Sequence, residues 1–249
     1  MSLLQVAAGL AVLAGALLQS AVGFGFSLVC APVVFAAAGP EQAVGLLTVL
    51  GLEVNLVSLL GERRRPVPLT RVVAIVLACS VPGMVAGVAI LRGVDAAVLQ
   101  VALTVVVFVS LGVQLSARHR RAGDPHPAPR WATPAAGLAA GALTTTTSAA
   151  GPPLVLLLLG RGHEPIRVRD TLTTSFAGLS VLGGVVLAAT GTTGARPHAA
   201  ALAALVPLAA AGQVAGRSLF HRLAGRRYEL VLTVTLTFSA LLGLLSALL

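Results

Sequence analysis

The sequence predicts an all-α polytopic membrane protein built from two inverted repeats, and its composition and charge spacing carry that prediction. The chain of 249 residues is 57% hydrophobic and only 10% charged, whereas soluble domains carry about 25% charged residues. Charge-free apolar runs longer than ~18 residues recur, each a candidate membrane span, and arginine-rich segments separate them. We expect no cleaved signal peptide, because residues 1–18 lack a basic start.

The first half is predicted to contain a broken helix hairpin followed by three crossing helices. Residues 3–39 carry no charge but are interrupted by Gln19-Ser20 and by Gly23-Phe24-Gly25-Phe26. Glycine readily adopts conformations that end a helix, so two short helices should meet at a polar break. Spanning helices of suitable length and hydropathy follow at residues 42–60, 69–91 and 96–115.

The second half repeats this layout. Four threonines and Ser148 interrupt the apolar run 132–159, and Gly151-Pro152-Pro153 follows. Proline lacks an N–H and clashes with the preceding helical turn, which predicts a second broken hairpin. This hairpin either re-enters on the same side of the membrane or crosses it twice. A kinked helix with threonine hydroxyls bonded back to its own backbone is the alternative. Spanning helices are predicted at residues 168–190, 198–216 and 228–249.

The two halves resemble each other in sequence. Gly15-Ala16-Leu17 precedes the first break as Gly141-Ala142-Leu143 precedes the second, and residues 82–87 match residues 211–216 in glycine spacing. Chance similarity between Gly/Ala-rich helices is the alternative to duplication. The predicted division of this single membrane domain is an N-terminal repeat 1–117, a cytoplasmic linker 118–130 and a C-terminal repeat 131–249.

The arginine distribution predicts the orientation in the lipid bilayer. A hairpin plus three crossings spans the membrane an odd number of times, so the second repeat should be inverted relative to the first. Fifteen of the 17 arginines then lie on one side, and two, Arg92 and Arg196, lie on the other. Such a bias marks the cytoplasmic side and places both termini outside. Aromatic residues are only 4%, too few for a stacking platform, so we expect no nucleic-acid partner.

The two breaks should meet near the bilayer midplane and form a solute site. Inverted repeats with discontinuous helices place solutes there, and helix N-termini attract anions. Carbonyls and hydroxyls could equally coordinate a cation. The candidate binding residues are those of the two breaks: Gln19, Ser20, Gly23, Phe24, Gly25, Phe26, Thr144, Thr145, Thr147, Ser148, Gly151 and Pro152.

These segments also resemble a known family. The Gln19–Phe26 stretch, the Gly137 and Gly141 lead-in and the Gly151-Pro152-Pro153 turn are similar to the sulfite exporter TauE/SafE family of bacterial membrane transporters. The resemblance implies a secondary transporter that moves a small sulfur-containing anion, such as sulfite or a sulfonate, across the inner membrane. Export by alternating access is the expected mode. A passive anion channel and a non-transporting membrane partner protein are the alternatives.

The sequence gives no sign of an enzyme, a metal site or a cofactor. An intramembrane hydrolase needs a nucleophile with a base or paired carboxylates, and Glu53 is the only acidic residue deep inside an apolar segment. His163-Glu164 begins a zinc-protease pattern, but Arg167 stands where the second histidine belongs. We therefore expect no catalytic residue. No sequence pattern indicates the oligomeric state, and a homodimer is one option.

Glu53 is predicted to couple transport to protons, with Arg71 on the next helix as its candidate partner. A charge deep in the bilayer costs at least ~2.5–3.5 kcal/mol on insertion scales, so it usually faces a cavity or a partner. A structural contact with Asn55 or with the helix backbone is the alternative. Glu53→Gln should lower flux driven by a pH gradient in proteoliposomes while solute binding is retained. Unchanged gradient-driven flux in this variant would refute the coupling role.

Overall fold

A computed structural model describes residues 3–61, 64–95, 129–158, 163–192 and 199–220, together with positions 97–99, 101–102, 105–106, 108–109 and 112. The described part is helical and contains no strand. Its bounded helices are α1 (Leu3–Val22), α2 (Phe26–Ala38), α3 (Pro40–Leu60), α4 (Thr70–Gly93), α5 (Ala132–Thr146), α6 (Gly151–Leu158), α7 (Pro165–Ala189) and α8 (Ala199–Phe220).

Four of these helices are long and apolar enough to cross a membrane: Pro40–Leu60, Thr70–Gly93, Ile166–Ala189 and Ala199–Arg217. They correspond to four of the six spans predicted from the sequence. The predicted span 96–115 is only partly described, and the span 228–249 lies outside the described residues. The prediction of an all-α polytopic membrane protein is confirmed.

Both predicted helix breaks are present. α1 ends at Val22 and α2 begins at Phe26, and between them Gly23 and Gly25 have φ of 87° and 110°. α5 ends at Thr146 and α6 begins at Gly151, and Ser148 between them has φ of 56°. A positive φ is uncommon for a residue other than glycine. Both breaks thus turn through the left-handed region rather than bending a continuous helix.

In each half, the helix before the break packs on a helix of the other half. The helix before the first break, α1, packs on α8, and the helix before the second break, α5, packs on α4. Gly83 and Gly87 on α4 face backbone oxygens of α5, and Gly212 and Gly216 on α8 face backbone oxygens of α1. The missing side chains allow the backbones of each pair to approach closely. The glycine spacing noted in the sequence thus has the same structural use in both halves.

The two helix pairs, α1 with α8 and α5 with α4, also share an equivalent hydrogen bond. The Ser20 hydroxyl on α1 donates to the Gln213 carbonyl on α8 over 3.0 Å, and the Thr145 hydroxyl on α5 donates to the Met84 carbonyl on α4 over 2.9 Å. In the sequence match of residues 82–87 with 211–216, Met84 and Gln213 are equivalent positions. The contacts support duplication of the two halves. Their inversion across the membrane and the boundaries 1–117, 118–130 and 131–249 stay predictions.

The sequence match between the helices before the breaks is one position out of register. Gly15 faces α2, where an added β-carbon would lie 2.6 Å from Cys30 Sγ, whereas Gly141 faces α4 and the Ser80 carbonyl. The two glycines therefore have different neighbours. Equivalent hydrogen bonds align Ser20 with Thr145, which fixes the register by contact rather than by residue type.

Close approach at Gly83 predicts a strong effect of a single methyl group. A β-carbon there would overlap the Leu138 carbonyl oxygen, so Gly83→Ala should push α4 and α5 apart and cost about 1–3 kcal/mol of stability. The matched control is Gly93→Ala in the last turn of the same helix, where an added β-carbon meets nothing within 4 Å. Thermal unfolding in detergent should show a lower Tm for Gly83→Ala alone. Equal Tm values for the two variants would contradict the packing.

Candidate functional site

A cavity of about 50 Å³ lies where the two helix breaks meet α3 and α7. Its wall takes residues from both halves of the chain, as expected for a site between the repeats. The lining residues are Gln19, Gly25, Phe26, Ser27, Leu28, Leu47, Thr48, Gly51, Asn55, Thr144, Ser148, Ala149, Ala150, Gly151, Phe176, Leu179 and Ser180.

Gln19 organises the first break. Its amide oxygen accepts a hydrogen bond from the Phe26 N–H over 3.1 Å, so a side chain from the last turn of α1 caps the first turn of α2. Its amide nitrogen donates to Asn55 Oδ1 over 2.8 Å, and Asn55 in turn donates to the Gly51 carbonyl on α3. All of these side chains are buried. One glutamine therefore joins the two arms of the break and fixes them to α3.

The second break brings backbone donors to the cavity. Among the described residues, no hydrogen-bond acceptor is found for the N–H groups of Ser148, Ala149, Ala150 and Gly151, and all four residues line the cavity. The Ser148 hydroxyl donates to the Val44 carbonyl over 3.4 Å. The next two residues of α6 are prolines and carry no N–H. The available donors of this break are thus concentrated before and at the first residue of α6.

α3 and α7 complete the wall with small and apolar side chains. Gly51 on α3 lies opposite Ser180 on α7, with 3.5 Å between an added β-carbon and the serine Oγ. Phe176 and Leu179 supply the apolar part of the wall. The Ser180 hydroxyl makes no hydrogen bond to any described residue, and the same is true of the Ser27 hydroxyl in the first turn of α2. Both hydroxyls line the cavity and are available to a bound solute.

The cavity is rich in neutral donors. None of its lining residues is charged. The N-terminal turns of α2 and α6 border it, and each brings the partial positive charge of a helix N-terminus. A small anion can accept hydrogen bonds here without facing a carboxylate. Within the described part of the chain, no three His, Cys, Asp or Glu side chains converge as metal ligands.

Half of the predicted binding residues lie in the cavity wall. The other half, which lie next to them along the chain, are outside the wall. The wall contains the predicted residues Gln19, Gly25, Phe26, Thr144, Ser148 and Gly151. The predicted residues outside it are Ser20, Gly23, Phe24, Thr145, Thr147 and Pro152.

The residues outside the wall have structural neighbours that explain their placement. The Ser20 and Thr145 hydroxyls bind the carbonyls of α8 and α4, and the Thr147 hydroxyl donates back to the Leu143 carbonyl. Phe24 packs against both hydrophobic clusters of the core. These contacts hold the breaks in place. Hydroxyl bonding back to the helix, which was the alternative view of the threonine run, also holds for Thr144, whose hydroxyl donates to the Ala140 carbonyl.

The predicted coupling residues Glu53 and Arg71 are not brought together. Arg71 is exposed in the first turn of α4. Glu53 is half-buried on α3 outside the cavity wall, and its Oε2 is buried and has no hydrogen-bond partner among the residues that the structure describes. Asn55 is occupied by Gln19 and Gly51 and is not bonded to Glu53. The coupling role of Glu53 stays a prediction.

Four polar wall residues are not among the binding residues predicted from the sequence: Ser27, Thr48, Asn55 and Ser180. A signal for two of them was present. Thr48, Gly51 and Asn55 are spaced at i, i+3 and i+7, which places small or polar side chains on one face of an otherwise apolar helix. Ser180 has no such signal, because serine is also common where transmembrane helices pack together.

The spanning helices and the two breaks define a multi-pass helical membrane protein with an uncharged cavity between its halves. Comparison with protein families identifies the family. The family model described as Sulfite exporter TauE/SafE matches residues 7–242, so the chain belongs to the TauE/SafE family. This is a family of membrane transporters and not of enzymes. Comparison with curated proteins and with solved structures gives no match.

The hydrogen bond between Gln19 and Asn55 predicts energetic coupling between the first break and α3. Gln19→Leu and Asn55→Leu should each lower the unfolding free energy, because each leaves a buried partner unsatisfied. The double variant should be less destabilised than the sum, with an interaction energy of about 0.5–3 kcal/mol. The control cycle pairs Gln19→Leu with Ser80→Ala, because the Ser80 hydroxyl donates to the Leu77 carbonyl of its own helix, α4. Additive effects in both cycles would show that the amide pair does not join the two elements.

Proposed function

We propose that the chain is a secondary transporter that moves a small sulfur-containing anion, with sulfite as the first candidate, across the bacterial inner membrane. The observation that carries this proposal is the neutral, donor-rich cavity between the two helix breaks. Membership of the TauE/SafE family supports the solute class. Movement of the two halves about the cavity would expose it to each side in turn.

The size of the cavity favours a small oxyanion. A single water needs at least about 10–15 Å³, so a cavity of about 50 Å³ has room for a small oxyanion. Sulfite consists of one sulfur and three oxygens and matches that size. A sulfonate adds a carbon chain and needs more room than sulfite. We therefore place sulfite ahead of larger sulfonates as the solute of this conformation.

The donors of the cavity favour an anion over a cation. The N–H groups of Ser148, Ala149, Ala150 and Gly151 and the hydroxyls of Ser27 and Ser180 are available to accepting oxygens. Helix N-termini repel a cation and attract an anion. Neutral donors also let the anion leave again, because no buried arginine in the wall would retain it.

Direction, orientation and coupling complete the proposal. The chain would export its solute from the arginine-rich cytoplasmic side, with both termini outside. Protonation of Glu53 would provide the coupling, and its half-buried position within the membrane-spanning helix α3, with Oε2 buried and unpartnered among the described residues, supports this role.

Solute binding is tested by thermal stabilisation of the purified protein with sulfite, sulfoacetate, taurine, thiosulfate, sulfate and chloride. A ligand at 100 times its Kd stabilises the folded state by about 2.7 kcal/mol, so sulfite should raise the Tm most. The same panel is applied to Gly51→Ala. An added methyl would lie in ordinary contact with Ser180 inside the cavity, so it should lower sulfite affinity without unfolding the protein.

The matched control for Gly51→Ala is Gly184→Ala on α7. Its added β-carbon also meets only ordinary contact distances, with the nearest atom on Thr48 at 3.9 Å, and Gly184 is not part of the cavity wall. The control should keep the full sulfite response. If no anion of the panel raises the Tm, or if both variants respond as the parent does, this cavity is not the anion site. Proteoliposome flux that follows the solute gradient alone, without response to pH, would indicate a passive channel.

A further inference from the structure

Polar and small residues on α3 continue beyond the cavity toward the arginine-rich end of the fold. Thr48, Gly51 and Asn55 line the cavity, and Ser58 follows Asn55 after about one helical turn on the same face. Ser58 is buried, and its hydroxyl donates to Gln213 Oε1 over 3.2 Å. The face of α3 that borders the cavity thus stays polar as the helix approaches its C-terminal end.

α7 carries a matching face that runs in the opposite direction. Ser180 and Phe176 line the cavity, and Thr173 and Arg169 lie on the same face, nearer the N-terminal end of α7. Because Ser180 lies beside Gly51 while Thr173 and Arg169 lie near Ser58, the two helices are antiparallel here.

A second, smaller pocket lies along these two faces. It measures about 10 Å³, room for about one water, and is lined by Ser58, Leu59, Pro66, Arg169, Asp170 and Thr173. Asn55 and Phe176 belong to the large cavity, and Ser58 and Thr173 belong to the small pocket. The two spaces are therefore about one helical turn apart, ~5 Å, along both helices.

An ion pair lies at the end of this row of polar residues. Arg64, just after α3, makes two hydrogen bonds of 2.7 Å with the two carboxylate oxygens of Asp170 on α7. Asp170 Oδ2 also accepts the Val67 N–H over 2.8 Å, and the Leu69 N–H donates to the Thr171 hydroxyl over 2.9 Å. Residues 64–69, which precede α4, are thus fastened across the first turns of α7.

Arg169 fastens the first helix break to the same place. Its guanidinium donates to the Ser20 carbonyl in the last full turn of α1 over 3.1 Å. Its aliphatic stem lies against Gly23, where an added β-carbon would come within 2.6 Å of Arg169 Cγ. The first break, the small pocket and the ion pair are therefore joined by neighbouring residues of α7.

We propose that the polar faces of α3 and α7 form the solute path between the cavity and the arginine-rich face, and that the Arg64–Asp170 ion pair locks this path. The proposal rests on the transport function proposed above. Guanidinium and carboxylate meet in a bidentate geometry, which is specific as well as strong. The pair joins Arg64, after the end of α3, to Asp170 on α7, so separation of α3 from α7 at this end breaks it.

The lock is tested by reaction of a cysteine in the small pocket with a small, membrane-impermeant methanethiosulfonate. The background is Cys79→Ala, which retains the fully buried Cys30. Thr173→Cys, buried in the parent, should react slowly. Addition of Arg64→Gln should raise its rate of labelling at least tenfold in detergent-solubilised protein. Asp170→Asn opens the same pair from the other side and should have the same effect if Arg64→Gln folds poorly.

Two controls separate opening of the path from other effects. Arg65→Gln removes the same charge from the exposed neighbouring position and should leave the labelling rate unchanged. Ala209→Cys, fully buried on α8 away from the path, should stay unlabelled in every variant. Labelling of Thr173→Cys at the parent rate in both lock variants, an equal rise with Arg65→Gln, or labelling of Ala209→Cys would each overturn the proposal.

The labelling needs no solute, so its result is independent of the sulfite experiment. A sulfite response without accelerated labelling would remove the lock and keep the transport function. Accelerated labelling without a response to any anion would keep the lock as a structural device and remove the anion assignment.

Discussion

The first helix break depends on the side chain of Gln19. Backbone polar groups in the hydrocarbon region of a membrane must find partners within the protein, and a broken helix leaves several without their helical acceptors. Gln19 accepts the Phe26 N–H and donates to Asn55, so one amide caps α2 and holds the break against α3. The cavity lies beside this pair because both side chains also form its wall.

The duplicated halves use their two breaks differently. Gln19 occupies the first N–H of α2 with a side chain, whereas the N–H groups at the second break have no acceptor among the described residues. The helix-packing bonds, by contrast, are equivalent, with Ser20 on α8 and Thr145 on α4. The symmetric contacts hold the framework, and the asymmetric ones decide where an anion can accept hydrogen bonds.

The sequence predicts the helices and their breaks better than it predicts the residues of the cavity wall. Helix spans and breaks depend on patterns that extend over many residues, whereas the wall depends on the direction in which each single side chain points. Charge-free runs determine the helix spans, and glycine and proline residues determine the breaks, each within a few residues. α2, α3 and α5 lie where these sequence patterns predict them. Which side of a helix a residue faces depends on packing partners. Thr144 faces the cavity and Thr145 faces α4, although the two are adjacent and identical. Gly15 and Gly141 look equivalent in sequence but face different helices.

The two ends of α7 are held by different chemistry, which bears on how a transporter of this fold can move. At its first turns, Asp170 pairs with Arg64, and breaking that pair separates two opposite charges. At its last turn, Arg92 of α4 donates to the Thr190 carbonyl and to the Thr192 hydroxyl, where a cation meets the partial negative charge of a helix C-terminus. The first contact offers a carboxylate that a solute oxyanion resembles, and the second offers none. The contacts at the two ends of α7 therefore differ in chemistry, although the framework helices are arranged alike.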